Sequence, residues 1–267
     1  MKNSVEKVEV VRVPRWEQYG WLRHGFSTRL GGVSAVYGGG DLNLGFTKDD
    51  DAELVRENRR LWAATVAGED GWPVLTVRQV HGTRVARVSA GANWEPVEAD
   101  GLMTAEAGVL LGAQAADCVP ILLVDTRLRV VAALHAGWRG TVAGMAGVGV
   151  ARMREEFGSR VEDLVAAVGP SIGVCCYEVG DEVRGEFARA FGDAEGLFVG
   201  RHLDLWEANR RVLVGAGLRA DAVSVVGECT GCLRSGDGRR KYFSHRTEKG
   251  FTGRAMGLVG VEARLYK

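Results

Sequence analysis

Two uninterrupted apolar runs occupy the middle of the chain, Val119–Val124 and Val130–Leu134, with Asp125-Thr126-Arg127-Leu128 as the polar break between them. Asp and Thr side chains bond readily to nearby main chain, so this break reads as a turn and the pair of runs as a β-hairpin. Counted outward from the Thr126–Arg127 bond, Cys118 and His135 are equidistant. That register predicts that they face each other at the open end, with Cβ atoms about 4.5–5.5 Å apart. A thiolate and an imidazole at that separation can share a metal ion or form a nucleophile–base pair. A buried thiol beside a satisfied core histidine is the plain alternative. The Gly-rich HAGWRG that follows the second run favours chemistry, because strand-end loops commonly carry it.

The remaining pattern predicts elements on both sides of this hairpin. Val8–Val13 alternates and reads as a strand, and His24–Phe46 reads as a long Gly-rich loop with Arg29 near its middle. Asp49-Asp50-Asp51, the apolar spacing of Leu54, Leu61 and Trp62, and Gly68 predict a capped helix. Strands are expected at Val74–Val80, Thr83–Val88, Asp100–Met103, Val109–Ala115, Leu164–Val168 and Val223–Val226, with another near the C-terminus. Helices are expected at Thr141–Phe157, Asp181–Phe191 and Leu205–Gly217. Strands and helices are interspersed without regular alternation. No composition shift marks a boundary, so residues 1–267 read as a single domain, α+β or mixed α/β, with mixed sheets.

Composition removes several function classes. Lys plus Arg and Asp plus Glu are 34 each, so there is no general basic field for nucleic acid. No apolar run approaches the roughly 18 residues of a membrane helix, and the N-terminal stretch lacks a signal-peptide pattern. The expected location is the cytoplasm. Five cysteines, an odd number in a chain of 267 residues, argue against a disulfide framework. Glycine is abundant, 38 residues spread along the chain.

Three residues at predicted strand ends stand out together: His81, Cys118 and His135. A His–Cys–His set leaves zinc an open fourth position, as catalytic zinc requires. Asp117 is placed to orient a ligand histidine or to cap a local turn. Arg29 and Arg139 are candidates for gripping an anion through the planar guanidinium. Cys229-Thr230-Gly231-Cys232 is a CxxC, read as structural with redox as a lesser option. Adjacent Cys175-Cys176 look like poor partners for it in a four-thiolate site. Glycine-rich Ser27–Ser34 and Gly137–Gly140 are expected to line one cleft with the three donors.

The blocks FSTRLGGVS, DLNLGF, the ENRR helix, QVHG, ADCVP, HAGWRG, VGPSIGVCCYEVG, ECT, YFSHR and TGR run in order from Phe26 to Arg254. In them the chain resembles the YfiH-like, laccase-domain family of purine nucleoside phosphorylases. The resemblance implies an α+β fold with two mixed β-sheets and flanking helices and a zinc-dependent site, with metal ligands at the histidine of QVHG (His81), the cysteine of ADC (Cys118) and the histidine of HAGWRG (His135). It implies phosphorolysis of adenosine, inosine, guanosine and methylthioadenosine, together with adenosine deamination. His81, Cys118, His135 and Arg139 are the expected catalytic residues, with Arg29, Asn43 and Arg139 at substrate or phosphate. The expected partners are purine nucleosides and phosphate, without nucleic acid, membrane or protein partner. Zinc is favoured over copper, since five histidines are too few for a blue-copper centre plus a multinuclear copper cluster. The usual deaminase pattern, H-x-E with P-C-x-x-C, is absent, so deamination would use a different cage. The rival readings are a cysteine hydrolase using a Cys118–His135 pair and a zinc-stabilised binding protein without turnover.

Overall fold

A computed structural model describes residues 8–89 and 94–263. Its first half runs β1 (Val10–Val11), β2 (Leu22–Ser27), β3 (Leu30–Ser34), α1 (Ala52–Ala67), β4 (Val74–Leu75), β5 (Val85–Arg87), β6 (Gly101–Thr104) and β7 (Leu110–Ala115). The second half runs β8 (Val119–Asp125), β9 (Val130–Ala136), α2 (Trp138–Val142), α3 (Met145–Phe157), β10 (Leu164–Val168), α4 (Asp181–Ala190), β11 (Phe198–Val199), β12 (His202–Leu203), α5 (Leu205–Gly215), β13 (Val223–Val225) and β14 (Ala255–Val261). A five-stranded sheet has the order β1-β2-β14-β7-β4 and a six-stranded sheet the order β13-β10-β8-β9-β6-β5. Each mixes parallel and antiparallel pairs, as expected for the α+β class with two mixed sheets.

The layers follow from strand parity. In β8, Val119, Ile121 and Leu123 pack with Met145, Val150 and Leu213 from the helices α3 and α5. Leu122 and Val124 on the opposite face join Leu111, Val259 and Phe26 of the five-stranded sheet. The outer face of that sheet, with Leu110, Met256 and Leu258, is covered by Trp62 and Val66 of α1. The central strands are therefore buried on both faces, which is why they appear as continuous apolar runs without alternation.

Asp51 caps α1 by accepting from the Glu53 N–H at 2.8 Å. Gly68 ends it at φ +87°, the left-handed residue that a helix C-terminus favours.

Two expectations are corrected. The expected loop through Ser27–Ser34 is mostly strand, β2 and β3. Its glycines serve close packing: a Cβ on Gly25 would sit 2.6 Å from Val10 Cγ1, and one on Gly32 2.3 Å from the Asp41 carbonyl oxygen. The single helix expected over Thr141–Phe157 is two, α2 and α3, because Gly144 turns to φ +74° between them.

His24, on β2, is 3% exposed and accepts from the Val13 N–H at 3.1 Å. Burial, aided by the Arg12 charge, brings its pKa down to about 4. The unfolded chain takes up this proton near pH 6.5 and the native protein only near 4, so stability is full above pH 6.5 and declines as pH falls toward 4. The loss from this one group is at most about 3 kcal/mol. Urea midpoints measured from pH 7.5 to 4 are expected to fall for the wild type and to fall less steeply for His24→Gln. Parallel curves would exclude His24 as the source.

Candidate metal centre

The hairpin delivers two of the three expected donors. β8 and β9 pair with Val119 opposite Ala136 and Pro120 opposite His135. The register is thus two residues away from the expected one, and Cys118 lies diagonally from His135 instead of opposite it. Asp125 is the cause. It pairs with Val130 as the last strand residue, its carboxylate accepts the Arg127 and Leu128 N–H groups at 2.9 and 2.7 Å, and Arg129 closes the turn at φ +58°. A shift of two preserves parity. Cys118 and His135 therefore still share one face, the face turned toward the five-stranded sheet.

His81 completes the set from the segment between β4 and β5. Its backbone is left-handed, at φ +61°, a conformation a non-glycine residue holds only when its surroundings impose it. The imposing group is Asp100, immediately before β6. Its carboxylate accepts the N–H groups of His81 at 2.9 Å, Gly82 at 2.7 Å and Val80 at 3.3 Å. The same carboxylate meets His135 Nδ1 at 2.9 Å, which leaves Nε2 as the nitrogen free to ligate. One carboxylate so fixes both histidines.

The donor atoms of His81, Cys118 and His135 lie within 4.8 Å of one another, with His81 Nε2 3.9 Å from Cys118 Sγ. Those separations suit one ion bonded to nitrogen at about 2.0–2.1 Å and to sulfur at about 2.3 Å. Burial raises the Cys118 thiol, but hydrogen bonds from His135 and His81 outweigh it and bring its pKa down to about 6. Burial lowers His135, whereas Asp100 and Cys118 together raise it to about 9. A thiolate beside two imidazoles is a ready ligand set for a soft-to-borderline divalent ion.

The donors form one wall of a cavity of about 600 Å³, whose other walls include Gln114, Asp117, Tyr177, His245, Arg246 and Arg254. A smaller lobe of about 140 Å³ shares His81, Cys118 and Tyr177 and adds Trp138, Arg139, Ile172 and Leu205. The Arg139 guanidinium lies 4.2 Å above the Trp138 ring. Gly137–Gly140 thus reaches the site, as the N-terminal end of α2. Ser27–Ser34 lines neither space.

Arg29 and Asn43 are placed differently from expectation. Arg29 is buried and bonds Asp41 at 2.8 Å, Glu248 at 2.9 Å and the Tyr37 carbonyl at 2.8 Å, so its guanidinium is occupied and does not face the cavity. Glu248 in turn holds the Ser244 N–H and Thr252 hydroxyl, which anchors the loop carrying His245 and Arg246. Asn43 is buried, and its side-chain oxygen accepts the Arg254 N–H at 2.9 Å. Both residues position cavity residues and line neither of the two spaces themselves. Asp117, read as orienting a ligand histidine or capping a local turn, accepts from Thr230 Oγ1 at 2.6 Å and the Arg246 N–H at 2.7 Å.

Asp100 was not singled out by the sequence, because its role depends on β6 pairing with β9, Gly101 opposite Leu134. Arg246, Arg254 and Tyr177 stood inside the YFSHR, TGR and CCYEVG blocks without a role. The described residues also bring Cys175, Cys176, Cys229 and Cys232 together, contrary to the expectation for adjacent cysteines.

Gly137 marks how closely the centre is packed. A Cβ there would lie 3.0 Å from Cys118 Sγ and 3.1 Å from His81 Cδ2, while its φ of −70° suits any residue. Gly137→Ala is expected to fold normally and to weaken metal binding by about 10-fold or more, in the range that disturbing a ligand's support produces. Competition titration against a chromogenic chelator measures this, and unchanged affinity would show that the two ligands can move aside.

The family model described as "Multi-copper polyphenol oxidoreductase laccase" matches residues 23–262. The "Purine nucleoside phosphorylase" of Deinococcus radiodurans is 41% identical over 245 residues, covering 90% of each chain. "Adenosine deaminase RL5", from an unknown prokaryotic organism, is 38% identical over 221 residues, covering 78% of this chain and 84% of that one. The crystal structure of Bacillus licheniformis hypothetical protein YfiH superposes with a TM-score of 0.85 at 30% identity, covering 98% of both chains. The matched length, the two-sheet fold and the shared sequence together place the chain in the YfiH-like family that carries the multi-copper polyphenol oxidoreductase laccase description and includes proteins named purine nucleoside phosphorylase.

Proposed function

We propose that the protein is a zinc-dependent purine nucleoside phosphorylase acting on adenosine, inosine, guanosine and methylthioadenosine, with adenosine deaminase activity at the same centre. The observation that carries this reading is the joining of a three-donor centre to a cavity with two arginines. When bound, zinc supplies Lewis-acid polarisation at that wall. The protein's own residues supply the rest. Phosphorolysis needs a held phosphate, an oriented nucleoside and a shielded anomeric carbon. Among the described residues Arg246 and Arg254 take part in no ion pair, and main-chain carbonyls hold their heads: Glu178 for Arg246 at 2.7 Å, and Thr252 and Gly253 for Arg254 at 3.1 and 2.9 Å. Guanidinium groups of this kind suit phosphate. Trp138, Ile172, Leu205 and Tyr177 give the small lobe an apolar surface suited to a planar base. Burial, then the Cys118 charge, push the Tyr177 hydroxyl up to about 12, so it remains a hydrogen-bond donor at neutral pH.

The low-pKa Cys118 beside His135 also favours the rival cysteine hydrolase. His81 argues for metal, since a nucleophile–base pair has no use for a second imidazole within 4.8 Å held there in a left-handed conformation. The copper alternative would need further histidine clusters, yet His24 and His202 lie outside the cavity lining and only His245 joins it.

Steady-state phosphorolysis of inosine at varied phosphate tests the reading. Arg246→Ala and Arg254→Ala are expected to raise the phosphate KM by roughly 10-fold or more each, the loss of one charge-assisted contact, with zinc content retained. If neither variant changes phosphate saturation, the phosphate lies elsewhere.

A further inference from the structure

The four cysteines that the centre above does not use converge at one point. They arrive on two loops that leave the C-terminal ends of neighbouring parallel strands, β10 and β13, where Val168 pairs with Val225. The loops continue to pair beyond the sheet: the Val226 N–H donates to the Val168 carbonyl at 3.0 Å, Ser171 N–H to Glu228 at 3.3 Å and Thr230 N–H to Ser171 at 3.0 Å. A turn then closes on the Gly173 carbonyl, which accepts the Cys176 and Tyr177 N–H groups at 2.9 and 3.0 Å. That turn folds the adjacent Cys175 and Cys176 back onto the Cys229-Thr230-Gly231-Cys232 turn, closed in its own way by Leu233 N–H on the Cys229 carbonyl at 3.1 Å.

The four sulfur atoms all lie within 4.8 Å of one another, and Cys175 Sγ is 3.6 Å from Cys232 Sγ. Four thiolates bonded at about 2.3 Å to one tetrahedral ion stand roughly 3.8 Å apart. A disulfide would require about 2.05 Å, and all four are free thiols. An iron–sulfur cluster interposes bridging sulfides and would hold the thiolates further apart than a single ion does. We propose that Cys175, Cys176, Cys229 and Cys232 form a second metal site that takes one zinc ion in a four-thiolate shell, separate from the His81–Cys118–His135 centre.

The surroundings agree with this assignment. The Gly173 N–H points at the Cys229 sulfur from 3.2 Å. Main-chain N–H groups aimed at sulfur stabilise thiolate. Gly231 is fitted to the cluster: a Cβ there would lie 3.0 Å from Cys176 Cβ and 3.2 Å from its Sγ.

The role is to fix a wall of the substrate cavity. Tyr177, a cavity residue, directly follows Cys176, and Thr230, inside the CxxC, donates to Asp117, the neighbour of Cys118. An ion binding both loops to one point locks these residues in place. The donor set is wholly sulfur and leaves no position for a water or substrate, the arrangement of structural zinc.

Metal content of the protein isolated under reducing conditions tests the proposal. The wild type is expected to carry two zinc ions per chain, Cys118→Ala one, and Cys232→Ser one. Cobalt substitution gives a readout independent of whether Cys232→Ser folds. Cobalt-loaded Cys118→Ala should retain intense sulfur-to-metal charge-transfer bands and the visible bands of a tetrahedral four-thiolate site. One zinc per chain in the wild type and none in Cys118→Ala would overturn the proposal. So would four freely reactive thiols besides Cys118 in the native metal-loaded protein, or a disulfide joining any two of the four. None of these outcomes bears on phosphorolysis itself, so the second site can fail while the function proposed above stands.

Discussion

Replacing Cys118 by alanine is expected to remove the zinc ion proposed for the His81–Cys118–His135 centre and to lower the proposed phosphorolysis by more than about 10²-fold, beyond what loss of a supporting hydrogen bond costs. The thiolate is the charged and soft member of the set, held ionised by the histidines on either side. Two imidazoles alone bind zinc far less tightly than two imidazoles and a thiolate. The fold should survive. Cys118 lies at the end of β8 and is half-buried, while the strand's packing comes from Val119, Ile121, Leu122, Leu123 and Val124, all fully buried. A domain of this size does not need a metal to stand. Compared with the metal-free wild type, the variant should melt within about 4 °C, the shift that roughly 1 kcal/mol produces at this length. Loss of fold together with activity would mean that the metal is structural, and the binding-protein rival would gain.

Asp100→Asn is expected to have the next largest effect. The carboxylate is 1% exposed, receives three main-chain N–H groups and holds His135 Nδ1. An amide of the same shape retains one acceptor oxygen and turns an NH₂ toward donors. Zinc affinity should weaken by about 10- to 100-fold, and activity should return when zinc is added in excess. The pH dependence gives a second readout. His135 holds a proton up to about pH 9 in the metal-free site, and zinc must displace it. Affinity therefore rises with pH up to that point and levels off above it. Without the Asp100 charge His135 loses its proton at lower pH, so the levelling should move downward. Chelator competition from pH 6 to 9.5 measures both features. Identical affinity and an identical profile would show that Asp100 supports neither histidine.

Much of this centre was legible from strand periodicity, and the reason is parity. The turn was misplaced because Asp125 reads equally well as a turn residue and as the last strand residue. Cys118 and His135 nevertheless share a face, since an error of two residues moves partners along a strand without rotating them. Asp100 was illegible because its partner is chosen by the pairing of β6 with β9, which nothing local specifies. Arg29 failed for a related reason. A lone arginine in a Gly-rich segment looks free until Asp41 and Glu248 fold around it. Those same glycines suggested a loop, whereas contacts such as Gly32 against the Asp41 main chain require strands packed too closely for a side chain. Cys175 and Cys176 look like poor partners for the CxxC in sequence because adjacency says nothing of a turn that brings both sulfurs to one side.

The proposed phosphorolysis releases products that can be counted directly. The measurement is release of hypoxanthine and pentose 1-phosphate from inosine by the zinc-loaded wild type and by Cys118→Ala, with and without phosphate. Base and pentose 1-phosphate are expected in equal amounts from the wild type, only when phosphate is present, and neither from the variant. Equal turnover by the two proteins, or base release indifferent to phosphate, would contradict the proposed phosphorolysis.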